Sequence, residues 1–267
     1  MKAKNGGAAF HNIKKLFLLP LLLVTGLFFA NPQPALAMHL TEGVLPANWA
    51  GLWYALAAVF MLLAFRAIRK RTGTDRRALP LLGLVGAAIF LISVLPVPVP
   101  IAGTSSHPAG TPLAAILVGP LISSGLGAIA LLIQALLLAH GGLSTWGANI
   151  MSMAVVGSFV AFGTFFLLRR LNVAIVVAAF AAGVLGDWAT YAVTSFELAS
   201  ALHGSGSLWQ MWGTTALAFA PTQLPLGIIE GVFTGGVVLF IQQRRPELLS
   251  GVTFWRRKAA TTANGGL

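Results

Sequence analysis

The sequence predicts an all-α membrane protein: a cleaved signal peptide followed by about seven transmembrane helices. Three observations carry that class. First, 57% of the 267 residues are hydrophobic and only 9% charged, against roughly a quarter charged in ordinary globular domains. Second, the 13 basic side chains beyond residue 37 fall in four clusters: Arg66–Arg77, Arg169-Arg170, Arg244-Arg245 and Arg256-Arg257-Lys258. Each cluster flanks an apolar span, as the positive-inside rule expects, so the net charge of +11 reads as topology rather than as a nucleic-acid footprint. Third, the chain opens with a leader pattern. The absence of cysteine excludes disulfides and thiolate metal ligands.

The leader has a basic region with Lys2, Lys4, Lys14 and Lys15, then an apolar run from Leu16 to Ala30. Helix-breaking Asn31-Pro32-Gln33-Pro34 and the small-residue pattern Ala35-Leu36-Ala37 follow, which together make residues 1–37 a cleaved signal peptide. Cleavage leaves Met38 with a free amine, on the outer side, and His39 in second position. The polytopic domain then occupies residues 38–245, and residues 246–267 form a cytoplasmic tail. The first span is Trp49–Phe65, and the basic segment Arg66–Arg77 is a cytoplasmic loop. Ala78–Leu95 runs back out. Pro96, Pro98 and Pro100 cannot continue a helix, so residues 96–108 form an irregular outer loop. Such backbone is tolerated at membrane depth only where protein or a cavity buries it. That loop carries His107 to the same side as Met38.

Thr111–Leu138 is either one span or two short helices meeting at Gly119-Pro120 or at Ser123–Gly127. With two crossings, Arg169-Arg170 and Arg244-Arg245 both become cytoplasmic, and two crossings are therefore expected, although a full span needs about 20 residues. Gly147–Leu168, Val173–Thr194 and Trp212–Ile241 complete the set, the last interrupted by Pro221 and Pro225. The total is seven spans, N-terminus out and C-terminus in. Small residues four apart (Gly83 and Ala87, Ala179 and Gly183, Ala182 and Gly186) allow close helix approach in lipid, and internal packing is their expected use.

The chemistry centres on Met38-His39. The Met38 amine, the His39 amide nitrogen and the His39 imidazole are covalent neighbours and close two small chelate rings on one metal ion. Deprotonating the amide needs a late transition metal that accepts a planar nitrogen field, such as Ni²⁺, Cu²⁺ or Co²⁺. His107 is the natural fourth donor. Four nitrogens and no carboxylate disfavour Mg²⁺ and Ca²⁺. His140 is a candidate to orient a ligand, with a loop-ordering hydrogen bond the blander role, and His203 reads as an ordinary loop residue. Asp187 and Glu230 lie within apolar spans, where ionisable groups default to functional hypotheses. Either couples metal occupancy to helix movement or accepts hydrogen bonds from neighbouring helices. There is no zinc-protease motif, nucleophile elbow or phosphate loop, so catalysis has no support.

The blocks Met38-His39-Leu40-Thr41-Glu42-Gly43-Val44-Leu45-Pro46, Gly103-Thr104-Ser105-Ser106-His107-Pro108 and Gln134–Leu143 are similar to the CbiM family, the cobalt substrate-binding component of energy-coupling factor transporters. Gly147-Ala148-Asn149, Gly186–Tyr191 and Thr222-Gln223-Leu224-Pro225 extend the resemblance over nearly the whole mature chain. It implies a metal held by the Met38 amine, the His39 amide and ring nitrogens and the His107 ring. It also implies a six-helix core plus one N-terminal helix in the inner membrane of a bacterium. The implied partners are a coupling subunit (CbiQ), paired ATPases (CbiO) and a small membrane subunit (CbiN). The chain itself is then no enzyme and carries no cofactor; its Co²⁺ is cargo destined for cobalamin synthesis. The related nickel component NikM shares the Met-His start and the loop histidine, but Thr41–Pro46 is closer to the cobalt type. Two alternatives stand beside this reading: the same machine carrying Ni²⁺, and a membrane scaffold or intramembrane enzyme without a metal site.

Overall fold

The computed structural model describes residues 39–76, 78–95, 97–99 and 104–249. The expected signal peptide (residues 1–37), Met38 and the tail beyond Leu249 lie outside the described residues. Seven helical rods are present among them: α1 (Ala47–Thr74), α2 (Ala78–Val94), α3 (Thr111–Val118), α4 (Pro120–Leu137), α5 (Trp146–Arg170), α6 (Ile175–Leu202) and α7 (Leu208–Arg244). The apolar runs dictate the rods, and α1, α4, α5, α6 and α7 are long and apolar enough to cross a membrane. At 17 residues, α2 reaches about 26 Å.

Three elements differ in detail from the sequence expectation. The first helix does not stop at Phe65 but runs to Thr74, because Arg and Lys are good helix formers and cations suit a helix C-terminus. The proline-rich loop is not wholly irregular: β1 (Val97–Val99) and β2 (Thr104–Ser106) pair antiparallel, with Pro98 opposite Ser105. Pro221 and Pro225 do not interrupt α7, which is continuous over 37 residues. Two prolines four apart leave the carbonyls of Leu217 and Pro221 without their usual donors, a loss that spanning helices absorb through neighbours and side-chain hydroxyls.

The passage over Thr111–Leu138 is made in two unequal pieces. α3 has 8 residues, about 12 Å, and ends at Gly119, whose φ of +88° is the left-handed conformation that glycine adopts freely. Pro120, pre-set for the first helical position, then starts α4. The two pieces run antiparallel: the Ser123 hydroxyl donates to the Thr111 carbonyl at 3.0 Å, and Thr111 abuts Gly127.

Packing sorts the ends of the bundle. A Cβ on Gly125 would lie 3.1 Å from Ala64 and Ile68. Leu249 shares a buried cluster with Phe165, Ile175 and Val238, against which Leu168 and Ile241 pack. Arg66–Arg71, Arg169-Arg170 and Arg244 are therefore gathered at one end. At the other, Leu40 and Leu45 pack with Trp53 and Ala148, beside the aromatic trio Phe196, Trp209 and Trp212. α6 and α7 cross at Gly183 and Gly231, where a Cβ on Gly183 would stand 2.7 Å from the Gly231 Cα. The Ala179–Gly183 and Ala182–Gly186 pairs thus pack internally, whereas Gly83 faces open space.

Candidate metal centre

Three histidine rings meet at the end opposite the arginines. His39, His107 and His140 each offer a ring nitrogen, and these nitrogens all lie within 4.8 Å of one another. Their centroids stand 4.5 to 5.0 Å apart. His39 and His107 are buried, at 3% and 4% exposure, and His140 is half-buried. Met38 lies outside the described residues, so the amine of the expected chelate does too. His203 is not in the cluster; its ring faces the Ala199 and Ser200 carbonyls.

Each histidine is held by its own piece of chain. His39 is fixed through its neighbour Leu40. Asn149, at the start of α5, accepts from the Leu40 N–H through Oδ1 at 2.9 Å and donates from Nδ2 to the Leu40 carbonyl at 3.1 Å. The Thr145 hydroxyl donates to the same carbonyl at 2.6 Å. One asparagine thus satisfies both backbone groups of Leu40 as a strand partner does. The Glu42 carboxylate accepts from the Ser144 N–H, the Gly43 N–H donates to the Ser144 hydroxyl at 3.0 Å, and the Tyr54 hydroxyl donates to Leu143. α5 begins beside this clasp and widens into a π-helical stretch over Ile150–Val156, a distortion found often at functional sites.

His140 reaches the cluster through a left-handed Ala139 (φ 49°) and Gly141 (φ 86°). Gly142 is where two chain segments touch: a Cβ there would lie 2.6 Å from the Glu42 backbone nitrogen and Cα. His107 leaves β2 and is followed by Pro108 and then by Ala109 and Gly110, whose N–H groups are taken up deeper in the bundle. Ala109 donates to Glu230 Oε2 and Gly110 to Oε1, both at 2.9 Å. Of the two roles that the sequence left open for Glu230, it takes that of hydrogen-bond acceptor, its donors lying where the loop enters α3.

The hydrogen bonds fix the imidazole tautomers. His107 Nδ1 lies 3.2 Å from the Pro108 carbonyl, which only accepts, so Nδ1 carries the proton and Nε2 the lone pair. Nε2 in turn is 2.9 Å from His140 Nε2, which therefore donates. Neither ring nitrogen of His39 has a hydrogen-bond partner among the described residues. The environment also opposes protonation. Burial, reinforced by the charges that His107 and His140 would carry, holds His39 well below the ordinary imidazole range. Burial and then His140 push His107 down to about 4, and burial lowers His140. The result is a cluster of neutral imidazoles, two of them buried, in the protonation state that transition-metal ligation requires. His140's place in this cluster was hidden by sequence separation; its Gly-Gly neighbours and its position after the second crossing were the available signals.

Known proteins resemble this chain over most of its length. The family model "CbiM: Cobalt uptake substrate-specific transmembrane region" matches residues 39–248. The chain is 52% identical over 217 residues to the cobalt transport protein CbiM of Geobacter sulfurreducens, covering 81% of this chain and 63% of that protein. It thus spans under two thirds of the Geobacter protein's length. It is also 52% identical over 212 residues to the CbiM of Sorangium cellulosum, covering 79% of this chain and 94% of that one. Among solved structures, a truncated transition metal transporter is similar at a TM-score of 0.67 and 28% identity, covering 77% of this chain and 98% of that chain. An imprint of that size, running from the histidine of the clasp through the last rod, makes this chain a member of the CbiM family.

Proposed function

We propose that this protein is the metal-capturing subunit of an ATP-driven energy-coupling factor importer, binding Co²⁺ from the outer side of a bacterial inner membrane. The observation that carries the reading is the meeting of two buried neutral imidazoles, His39 and His107, at the end of the bundle away from the arginine clusters. Positive charge marks the cytoplasmic end, so the histidines face out, with the mature N-terminus outside and the C-terminus inside. Residues 1–37 are removed, residues 38–245 form the membrane domain with seven spans, and residues 246–267 form the tail.

In this reading the cargo is held by the Met38 amine, the His39 amide and ring nitrogens and the His107 ring. His107 presents the Nε2 lone pair, and a metal arriving there displaces the His140 proton donor. His140, half-exposed, is the ring a cation meets first. Energy comes from partners, a CbiQ-like coupling subunit and CbiO-like ATPases with a CbiN-like small subunit, since this chain has no phosphate-binding loop. The cobalt feeds cobalamin synthesis.

Two measurements test the proposal. N-terminal sequencing of the purified membrane protein is expected to begin at Met38; a chain beginning at Met1 has no free amine at the site and defeats the chelate. Metal uptake by cells carrying the full subunit set is expected to favour cobalt. Preferential Ni²⁺ accumulation would reassign the cargo within the same mechanism, because four nitrogen donors suit both ions.

A further inference from the structure

Glu230 is not one of the clustered groups, yet it touches the segment that carries one of them. Its side chain is 1% exposed, and its two oxygens are divided between consecutive N–H groups, Ala109 to Oε2 and Gly110 to Oε1, each at 2.9 Å. Those residues follow His107-Pro108 directly. Gly110 precedes α3 with no side-chain cap hydrogen bond, and the carboxylate takes the N–H groups of this residue and of the one before it. Gly110 is in turn wedged against α2, where a Cβ would lie 3.2 Å from the Ile89 Cα. The loop end is thus held from two sides, by α2 and by Glu230.

The acid is itself firmly based. A Cβ on Gly183 would stand 2.9 Å from the Glu230 carbonyl, and one on Gly231 2.5 Å from Val184, so this turn of α7 is locked onto α6. Asp187 reaches the same turn from α6, its Oδ2 3.0 Å from where a Gly227 Cβ would be. A serine or asparagine at the cap position would reach an N–H inside α3, not the Ala109 and Gly110 N–H groups ahead of it. A carboxylate whose two oxygens grip the two residues after Pro108 does more: it fixes where the proline-stiffened segment, and with it the His107 ring, can lie.

We propose that Glu230 is a positioning residue for metal binding. It acts through His107, tying that ligand to the α6–α7 pair so that movement of the pair moves His107 relative to His39. The inference rests on His107 being a ligand. The test is a double-mutant cycle on the mature full-length chain, with Co²⁺ affinity measured by direct titration for the wild type, Glu230→Gln, His107→Ala and the double variant. Glu230→Gln replaces one acceptor by a donor facing a backbone N–H. It is expected to weaken Co²⁺ binding about 10- to 100-fold, the range for outer partners of a metal ligand. In the His107→Ala background the same change is expected to have less than about a twofold effect, because groups that act through one another are not additive. The visible spectrum of Co²⁺ on Glu230→Gln is expected to shift towards that of His107→Ala. If Glu230→Gln fails to fold, Glu230→Asp enters the same cycle; it keeps both acceptors one methylene short, and the same non-additivity is required. An equal loss in both backgrounds, or none in the wild type, overturns the inference alone when His107→Ala still weakens binding. A His107→Ala variant with wild-type affinity overturns both the inference and the ligand assignment.

Discussion

Two backbone clasps flank the proposed metal site, and they are built from opposite chemistry. On the His39 side, neutral Asn149 takes the N–H and the carbonyl of one residue, Leu40. On the His107 side, the Glu230 carboxylate takes two N–H groups from successive residues. The neutral clasp imitates a rung of a sheet, each bond contributing about 1 kcal/mol net, and it sits close behind the ring that it fixes. The acidic clasp makes charge-assisted bonds roughly twice as strong, yet it needs a buried carboxylate that is costly whenever its donors leave. The difference teaches that the two histidines are mounted differently. His39 is fastened to the head of α5, and His107 is fastened through an acidic side chain to the α6–α7 crossing.

The largest expected effect breaks the His39 side at its covalent root. Inserting one residue between Met38 and His39 keeps every side chain but separates the amine from the amide–imidazole unit. Titration of the mature chain with Co²⁺ should show a loss beyond about 100-fold, more than an outer partner produces. Unchanged affinity would remove the amine and amide from the donor set and leave only the imidazoles.

Next in size is the clasp itself. Asn149→Ala strands a buried N–H and deprives a buried carbonyl of one of its two donors, at about 1–3 kcal/mol for an unsatisfied group. Thermal melting should register that loss, and metal affinity should fall about 10- to 100-fold. Asn149→Asp sharpens the comparison with Glu230. A carboxylate still accepts from the Leu40 N–H but faces the Leu40 carbonyl with no proton to give, so it should not rescue. A smaller effect is expected at the joint between the His39 and His140 loops. Gly142→Ala puts a methyl 2.6 Å from the Glu42 backbone, which cannot yield as a side-chain end can. Isothermal titration should find affinity down about tenfold, one such repacking of 1–2 kcal/mol, with the helical content unchanged.

Much of this was legible in the chain. The apolar runs located the rods, and the basic clusters sorted their ends, because lipid allows few other solutions. That His39 and His107 end up on the same side was legible, because the prolines before His107 force a loop there. The convergence of His140 was not, since it depends on two positive-φ residues, Ala139 and Gly141, that aim a ring across 33 positions of sequence. Nor was Asn149's clasp, as nothing local shows an asparagine which distant residue it will pair with. Glu197 escaped because its span was expected to end at Thr194. The helix runs to Leu202, and the residue is wholly buried.

The smallest expected effect concerns protons, and it separates the imidazoles from the amine. His107 is held at about 4 against an ordinary 6.5. A depressed histidine contributes stability that is present above its unfolded value and lost as pH falls towards its folded value. The metal-free protein should therefore lose stability between pH about 6.5 and about 4, readable as a falling melting temperature. For binding, the same depression means that protons do not compete for His107 until about pH 4. In the variant with a residue inserted after Met38, residual Co²⁺ affinity should thus change by less than about threefold between pH 7 and pH 5.5, where an unperturbed imidazole would lose up to about tenfold. The intact mature site behaves otherwise. An α-amine protonates near 8 and the amide must shed its proton to ligate, so its affinity should decline steadily from pH 8 downward. Matching profiles for the two proteins would mean that the amine and amide never bind the metal, and that the histidine cluster works alone.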